Sequence, residues 1–250
     1  MRCSVRALAR LAPRRALSDK AVAAMRLDHG GGGRVLSERD AGDAPLALFE
    51  RWFDEAVAHP GVIEANAMAL ATVDAASAQP SCRVVLLKGY DARGLCWYTN
   101  YASRKAAELG GGGGAAADDG AAAARAALTF WWPALERQVR VEGGVARVSR
   151  EETAAYFRSR PRASQIGAWA SRQSSTVEGA DALVARERAL VARFDGRDVP
   201  VPDFWGGYRL RPRRFEFWQG RASRLHDRIA FEREDGDGDD GAWTRARLCP

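Results

Sequence analysis

The stretch RVVLLKGYDARGLCWYTNYASRKAAEL, residues 83–109, contains the pattern on which the fold of this chain depends. Apolar runs rich in β-branched and aromatic residues, at 81–90 and 95–99, predict two strands joined by the turn Asp91–Gly94. A short helix is expected at 103–109, directly after the second strand. The stretch therefore predicts an antiparallel hairpin followed by a helix, with polar residues gathered where the second strand ends.

Signals of the same kind recur on both sides of this hairpin. Six or more antiparallel strands with interspersed helices predict an α+β fold that is mainly β and built as a small barrel, not a parallel α/β sheet. Further strands are expected at 67–73, 126–132, 208–210, 215–219, 224–233 and 243–248, with a hairpin of 136–142 and 145–148 about Gly143-Gly144. Helices are expected at 46–58, 149–159, 163–170 and 178–194.

The net charge is concentrated at the N-terminus. The chain has 250 residues, which suits one large domain or two small ones, and a formal net charge of +6. Residues 1–26 hold seven basic residues and one acidic residue, so the rest of the chain is neutral overall. A neutral body argues against a nucleic-acid-binding surface. No apolar run approaches the ~20 residues of a membrane helix, so a membrane is not expected as a partner. The two arguments together predict that the chain binds neither nucleic acid nor a membrane.

The first residues are rich in Arg, Ala and Leu and nearly free of acids, which is typical of an organelle transit peptide at 1–25. This interpretation predicts a mitochondrial or chloroplast location. The alternative is a tail without an address, for which a cytoplasmic location is expected. Residues 26–45 are predicted to be flexible and to precede a domain at 46–250. The glycine- and alanine-rich tract at 110–124 is predicted to be a disordered surface loop of that domain.

The cysteines and histidines give no metal-binding pattern. The four cysteines form no CxxC pair and the three histidines lie far apart, so no metal site is predicted. Cys82 and Cys96 fall in strand-like segments and are expected to be buried free thiols. This usage of cysteine fits a reducing compartment.

Two pairs of cations lie within the opening stretch. Arg83 and Lys88 begin and end an apolar strand, and their opposite parity on a regular strand predicts two separate anionic partners. Arg104 and Lys105 follow Ser103 at the start of the short helix, where backbone N–H groups and cations favour an anion. The alternative for each pair is two solvated charges at the end of an element. Taken alone, the residues favour this alternative over a bound anion.

A third cluster is suited to a phosphate monoester. Tyr156 and Arg160 are four residues apart on one helical face, and Ser164 follows near the start of the next helix. A hydroxyl, a guanidinium and a helix start together match phosphate chemistry. The alternative is an ordinary capped helix end with a surface arginine.

Two more clusters lie on predicted strands. Gln138 and Arg140 share one strand face, where they either contact a ligand or line the outside of a barrel. Arg224, His226 and Arg228 alternate along another strand and are therefore expected on one face. Three potential cations in a row repel one another unless an anion or a π-system faces them, which favours a ligand at this face.

In an ordered series of motifs the chain resembles the pyridoxine/pyridoxamine 5′-phosphate oxidase family. Beside residues 83–109, the matching stretches are LERQVRVEGGVARVS (135–149), YFRSRPRASQIGAWAS (156–171), FWGGYRLRP (204–212) and FEFWQGRASRLHDR (215–228). They span nearly everything from residue 47 to the C-terminus in the order and spacing of the family. One departure is near the N-terminus, where the family often has Arg-x-x-Tyr as a lid and this chain has Arg26-Leu-Asp-His29.

The resemblance implies an FMN-binding split β-barrel, antiparallel and homodimeric, with FMN at the subunit interface. It implies oxidation of pyridoxamine or pyridoxine 5′-phosphate to pyridoxal 5′-phosphate, with O2 reduced to hydrogen peroxide. Arg224 and His226 are implied to be catalytic. The residues implied to bind the substrate are Lys88, Tyr156, Arg160, Ser164, Arg224, Leu225 and His226. Those implied to bind FMN are Arg83, Val84, Val85, Leu86, Tyr98, Thr99, Arg104, Lys105, Gln138, Gln173, Ser174, Trp218 and Arg228.

Two other functions share part of this pattern. Another FMN split-barrel protein, such as a flavin reductase, would keep the flavin residues but would not need the substrate residues Tyr156, Arg160, Ser164, Arg224 and His226. A non-catalytic carrier of pyridoxal phosphate would need those substrate residues but not the flavin residues. Both sets are present in this chain, which favours the oxidase.

Overall fold

The computed structural model describes residues 29–30, 33–110, 124–233 and 242–250. Nine antiparallel strands in the described residues form one sheet, as the sequence predicts for a mainly β protein with helices. The strands are β1 Ala67–Val73, β2 Pro80–Leu86, β3 Gly89–Asp91, β4 Gly94–Asn100, β5 Ala124–Trp132, β6 Arg137–Arg147, β7 Trp205–Gln219, β8 Asp227–Glu232 and β9 Thr244–Arg247. The helices are α1 Glu38–Ala41, α2 Pro45–Ala58, α3 Arg104–Glu108, α4 Arg150–Ser159, α5 Arg162–Ala170 and α6 Ala180–Arg193.

Strand β7 organises the sheet. The strand order is β2-β1-β5-β6-β7-β4-β3, and β8 pairs with both β7 and β9. The first part of β7 pairs with β4, its last part pairs with β8, and β6 runs along nearly its whole length. Because β7 has 15 residues, it connects two distant regions of the protomer.

The main core lies between the sheet and helix α2. The apolar stripe of this helix buries Leu48, Phe49, Trp52 and Ala56. The ring of Phe49 lies 5.3 Å from that of Phe130 on β5, centroid to centroid. Aromatic pairs at such distances add to the free energy of burial. The helix therefore closes one side of the sheet.

A smaller core holds helices α4, α5 and α6 against the sheet. It contains Phe157, Ile166, Phe194, Val199 and Trp205, all buried. Ser149 caps α4 through its hydroxyl, which accepts the N–H of Glu152 at 3.1 Å. The break before Pro161 ends α4 and starts α5, as the sequence predicts.

The predicted hairpin about Gly143-Gly144 is wrong, because β6 is one continuous strand. Its register against β7 shifts between Glu142 and Gly143, which marks a bulge and not a turn. A Cβ atom at Gly143 would lie 1.9 Å from the backbone oxygen of Arg211 on β7. Glycine is thus required by the close approach of two strands at this point.

Two other differences from the predicted strands affect the site. Residues 208–210 and 215–219 belong to the single strand β7. Arg224 lies in a 3₁₀ turn, Ala222–Arg224, and β8 begins only at Asp227. The prediction that Arg224, His226 and Arg228 alternate on one strand face is therefore wrong.

Several sequence predictions fall partly or wholly outside the described residues. They are the transit peptide at 1–25 and most of the 110–124 tract. In the predicted flexible segment at 26–45, the described part contains helix α1, and Leu36 is buried there.

Of the two cysteines that were expected to be buried, Cys96 is buried, but Cys82 is exposed on β2. No helix in the described ranges is long and apolar enough to cross a membrane.

The bulge in β6 gives a test of the fold. Replacing Gly143 with Ala should lower the free energy of unfolding by about 2 kcal/mol or more, because the new methyl group has no space against the backbone of β7. Urea unfolding of the flavin-free protein measures the change. Gly89→Ala is the matched control, since no atom lies within 4 Å of the Cβ position there. Equal stability of the two variants would contradict the close approach of β6 and β7.

Candidate functional site

A cavity of about 840 Å³ opens between strand β2, the end of β4 and the helices α3 to α5. Among its lining residues are five cationic side chains and no carboxylate. Such a surplus of positive charge in a recess favours an anionic ligand. The lining residues that the sequence assigned to a ligand are Arg83, Val84, Val85, Leu86, Lys88, Tyr98, Thr99, Arg104, Lys105, Tyr156, Arg160, Ser164, Gln173 and Ser174.

Arg83 and Lys88 line this same cavity, so the argument that placed them on opposite strand faces is wrong, whereas the two separate anionic partners stay a prediction. Strand β2 ends at Leu86, and the N–H of Lys88 donates to the backbone oxygen of Cys96 on β4 at 2.8 Å. The chain changes direction between the two cations. A parity argument holds only along a regular strand, which ends before Lys88.

The guanidinium of Arg83 is engaged by the protein. Its two terminal nitrogens donate to the backbone oxygen of Leu70 at 3.1 Å, to Thr72 at 2.5 Å, to Ser81 and to Glu108 at 3.1 Å. Four acceptors for the terminal N–H groups leave only Nε–H of this side chain for a ligand. Arg83 therefore contributes charge to the cavity more than hydrogen bonds.

Lys105 is a buried cation at the end of β4. Its Nζ donates to Thr99 at 2.9 Å, to Gln173 at 3.0 Å and to Ser103 at 3.3 Å. Burial, assisted by the charge of Arg83, lowers the pKa of Lys105 to about 8. Near neutral pH this ammonium is thus close to losing its proton, which an adjacent anion would prevent.

Helix α3 is only five residues long, so its cations and not its N-terminus account for the anion preference. Arg104 is exposed, and its backbone N–H donates to the hydroxyl of Ser174 at 3.2 Å. Ser174 adopts a left-handed backbone conformation with φ of 71°. This turn places Gln173 and Ser174 beside the start of α3, although they lie about 70 residues away in sequence.

Arg160 provides the clearest sign of a missing partner. Its guanidinium carbon lies 4.7 Å from the centroid of the Trp205 ring, and its NH1 is buried with no hydrogen-bond partner among the described residues. Burial lowers the pKa of Arg160. A buried unpaired N–H is costly, so a ligand acceptor at this position is expected.

Aromatic rings stack beside Arg160. Tyr98 and Tyr156 have ring centroids 3.9 Å apart at an interplanar angle of 21°, and Tyr98 also stacks on Trp205 at 5.5 Å. Burial raises the pKa of Tyr98 to about 12, so its phenol stays neutral. Ser164 lies in the first turn of α5 and completes this side of the cavity.

The remaining predicted residues form a second group away from this cavity. Gln138 on β6 is paired in register with Trp218 on β7, and the His226 ring lies 4.6 Å from that of Trp218. Arg228 donates through Nε to Glu216 at 3.0 Å. The residues of this second group, none of which lines the 840 Å³ cavity, are Gln138, Trp218, Arg224, Leu225, His226 and Arg228.

His226 has a defined proton arrangement. The backbone N–H of Arg221 donates to Nδ1 of His226 at 3.1 Å, so Nδ1 is the acceptor of the neutral ring and Nε2 carries the proton. Desolvation, together with the proximity of His29 and Arg224, lowers the pKa of His226. Before it, Ser223 and Arg224 have left-handed φ values of 57° and 60°, and Leu225 is 71% exposed.

Three contributors to these two groups were not predicted. His29 packs edge-on against Trp218 at 5.6 Å and against His226 at 5.7 Å, at the position where the tyrosine of the family motif is missing. Its Nδ1 lies 3.5 Å from a carboxylate oxygen of Glu136. Glu108 and Trp205 hold cavity arginines. His29 and Trp205 lie in stretches that the family resemblance had already marked, and the spacing of Arg104 and Glu108 by four residues was the signal for Glu108.

No metal centre accompanies these groups. Within the described ranges, no three His, Cys, Asp or Glu side chains lie together in a way that could hold a metal ion. The chemistry of both groups is that of hydrogen-bond donors and cations.

Comparisons with known proteins place this arrangement in a family. Residues 54–191 match the family described as "Pyridoxamine 5'-phosphate oxidase", and residues 205–250 match the "Pyridoxine 5'-phosphate oxidase C-terminal dimerisation region". The chain is 50% identical over 215 residues to the pyridoxine/pyridoxamine 5′-phosphate oxidase of Rubrobacter xylanophilus, covering 86% of this chain and 91% of that protein. The enzyme of the same name from Bordetella avium is 54% identical over 216 residues, covering 86% and 94%.

Solved structures agree with this match. PhzG from Burkholderia lata, in complex with tetrahydrophenazine-1-carboxylic acid, superposes with a TM-score of 0.71 at 28% identity, covering 86% of this chain and 98% of PhzG. An FMN-binding protein of Nostoc punctiforme related to pyridoxamine 5′-phosphate oxidase superposes with a TM-score of 0.61 at 14% identity and shares the fold. The chain belongs to the pyridoxamine 5′-phosphate oxidase family, has its split-barrel fold and carries its C-terminal dimerisation region.

Proposed function

We propose that this chain is an FMN-dependent oxidase that converts pyridoxine 5′-phosphate, and with water pyridoxamine 5′-phosphate, to pyridoxal 5′-phosphate, reducing O2 to hydrogen peroxide and releasing ammonia from the amine. The observation that carries the proposal is the buried NH1 of Arg160, unpaired in a cavity that also holds Arg104 and Lys105. One cavity thus contains anchors for two phosphates. The names of the relatives, about half identical over most of the chain, support the same reaction.

FMN is the cofactor, and the residues of the cavity fit it. Arg104, Lys105 and Ser174 offer two cations and a hydroxyl for the flavin phosphate, and the edge of β2 from Arg83 to Leu86 lies along the cavity. Tyr98, Thr99 and Gln173 complete this group. When bound beside these residues, FMN would supply the acceptor for a hydride from C4′ of the substrate and the route of the electrons to O2.

The second anchor binds the phosphate of the substrate. Lys88, Tyr156, Arg160 and Ser164 supply two cations and two hydroxyls on one side of the cavity. Trp205 lies under Arg160 and keeps its guanidinium desolvated, which strengthens its hydrogen bonds to an anion. These residues bind and orient the substrate so that its reacting carbon is held in a fixed position.

The second group of residues, around Trp218 and His226, comes from a second copy of the chain. Arg160 lies by Trp205 at one end of β7, and His226 lies by Trp218 near the other end. A strand rises about 3.3 Å per residue, so these tryptophans are up to roughly 40 Å apart in one protomer. Arg160 and His226 of one protomer thus lie toward opposite ends of this strand, and we expect them to contact different substrate molecules. The C-terminal dimerisation region at 205–250 supports a homodimer in which the partner brings Arg224, Leu225 and His226, with Gln138, Trp218 and Arg228, to the cavity.

His226 acts as a hydrogen-bond donor. Its Nδ1 is occupied by the N–H of Arg221, and the proton on Nε2 is available to an oxygen of the substrate. The lowered pKa of His226 favours the neutral ring, and because the N–H of Arg221 occupies its acceptor nitrogen, the ring orients the substrate as a donor. Arg224, exposed beside it, adds a cation to the same side.

A related oxidase with a different substrate is the second candidate. The similarity to PhzG at 28% identity favours it, because that protein was solved with tetrahydrophenazine-1-carboxylic acid. This ligand carries a carboxylate and no phosphate, whereas Lys88 and Arg160 offer two cations, which suits a phosphate better. A flavin-free carrier of pyridoxal phosphate would leave Arg104, Lys105 and Gln173 without a role.

Localisation remains a prediction. The relatives compared above are bacterial and give no support to an organellar transit peptide. A reporter protein fused to residues 1–26 would test whether this segment directs import into an organelle. A reporter that stays in the cytosol would reject the transit peptide.

The proposed function is tested with the purified full-length chain. We expect a yellow protein that forms pyridoxal 5′-phosphate and hydrogen peroxide in equal amounts from either phosphorylated substrate under air. Pyridoxine without its phosphate is the control and should react far more slowly. A protein that binds FMN but leaves both phosphorylated substrates unchanged, and instead oxidises a carboxylate substrate, would support the second candidate.

Arg160→Ala should raise KM for pyridoxine 5′-phosphate by roughly 10- to 100-fold, because one charge-assisted anchor of its phosphate is lost. FMN should remain bound, as judged from the visible spectrum. Arg158→Ala is the matched control, since this arginine is exposed on the same helix. Loss of FMN with an unchanged KM would contradict the division of the cavity into two anchors.

The affinity for FMN should fall as the pH rises above about 8. Lys105 loses its proton there in the flavin-free protein, because burial lowers its pKa to about 8. The flavin phosphate favours the charged form, so binding takes up a proton and weakens with pH by at most about tenfold per unit. Fluorescence titration between pH 7 and 10 measures this. Lys105→Arg, which stays charged, should show a flat profile, and a flat wild-type profile would reject the assignment.

The two histidine nitrogens can be separated by substitution. Gln places an amide N–H near the position of Nε2, whereas Asn places its amide near Nδ1. His226→Gln should therefore retain about tenfold more kcat/KM than His226→Asn. Equal losses in both variants would show that the donor at Nε2 does not contribute.

A further inference from the structure

Glu108 is a buried carboxylate that forms ion pairs with two of the arginines lining the cavity, Arg83 and Arg104. It is the last residue of α3, and its side chain is 3% exposed. One oxygen accepts from Thr72 at 2.5 Å, from Ser81 at 2.6 Å and from Arg83 at 3.1 Å. The other accepts Nε of Arg104 at 2.8 Å. Burial acts to raise the pKa of Glu108, but these hydrogen bonds outweigh it and lower the pKa to about 2.

The two arginines held by Glu108 differ in how many of their N–H groups remain available to a ligand. Arg83 has its terminal N–H groups engaged by Glu108, Thr72, Ser81 and the backbone. Arg104 is held only through Nε, and its side chain is 61% exposed. Among the described residues its terminal nitrogens have no hydrogen-bond partner, and the residue lines the cavity. Glu108 thus fixes one edge of the Arg104 guanidinium and leaves the other edge for a ligand.

We propose that Glu108 is a positioning residue for the flavin phosphate, which acts by holding Arg104 with its two terminal nitrogens turned to the cavity. The inference rests on the proposed function, because it requires the phosphate of FMN to lie against Arg104. A long exposed arginine otherwise loses rotamer freedom when it binds an anion. A guanidinium already held at Nε loses less of this freedom, so the phosphate binds more tightly.

The geometry favours positioning over competition between the carboxylate and the phosphate. A competing carboxylate would have to leave its arginines when the phosphate arrives. Glu108 cannot do so locally, because it is buried and also accepts the hydroxyls of Thr72 and Ser81. Its contact with Arg104 through Nε uses neither of the terminal nitrogens of this cavity-lining residue. Both arrangements can therefore exist together, as in a bidentate guanidinium with two anions on different edges.

The test compares two flavins that differ only in the phosphate. Dissociation constants of FMN and riboflavin are measured by fluorescence quenching with flavin-free full-length protein. Glu108→Gln keeps the shape of the side chain and removes its charge. We expect it to weaken FMN binding by about tenfold and to leave riboflavin binding within about twofold. Glu55→Gln is the matched control, because Glu55 accepts from Arg137 at 2.6 Å outside the cavity.

Each other outcome has a distinct meaning. An equal loss for both flavins would show a merely structural role, and tighter FMN binding would show a competing anion; either overturns the inference. In an Arg104→Ala background, Glu108→Gln should cause no further loss of FMN affinity, and a further loss would also overturn it. If the wild type does not distinguish FMN from riboflavin, the phosphate does not lie here and the proposed function fails instead. If Glu108→Gln does not fold, Glu108→Asp replaces it. This side chain is shorter by one methylene, so its carboxylate lies farther from Arg104, and it must show the same selective loss of FMN affinity.

Discussion

The long strand β7 is the constraint on which the candidate site depends. Trp205 at its first residue lies under Arg160, and Trp218 near its last residue lies against His226. Pairing with β4, β6 and β8 keeps the strand extended, so these two environments are held apart in one protomer. The same pairing requires glycine at 143, because β6 approaches β7 too closely there for a side chain. The strand therefore gives each of the two groups of residues a fixed location, and under the proposed function a second chain brings them together.

Much of this arrangement could be predicted from sequence, because it depends on local periodicity and on ordered motifs. The strand 67–73, the helix 46–58 and the break at Arg160-Pro161 were predicted nearly to the residue. Fourteen of the predicted site residues line one cavity, which periodicity alone could not have indicated. Their grouping followed from the resemblance to the family, since residues such as Lys105 and Gln173 meet only through the tertiary fold.

The errors have a common physical origin. Parity and turn rules assume that a strand continues regularly, and the chain departs from regularity where it serves the site. Strand β2 ends before Lys88, which brings this cation to the same cavity as Arg83. Gly143 and Gly144 look like a hairpin turn but allow a bulge. Arg224 takes a left-handed conformation in a tight turn, where an alternating strand was expected.

The charges of the cavity show how the free protein is adapted to a ligand that it lacks. Arg160 has a buried N–H with no partner, and Lys105 is buried enough that its pKa falls to about 8. Both features destabilise the flavin-free and substrate-free fold, since an unpaired buried donor and a desolvated cation each cost free energy. Glu108 offsets part of this cost on the Arg83 and Arg104 side, but no carboxylate lines the cavity beside Arg160. The compensation is thus uneven: the protein itself partly neutralises the charge of Arg83 and Arg104, whereas the buried N–H of Arg160 has no acceptor among the described residues. If FMN and substrate bind as proposed, the cofactor meets arginines that the protein already holds, and the substrate phosphate supplies the acceptor that Arg160 needs.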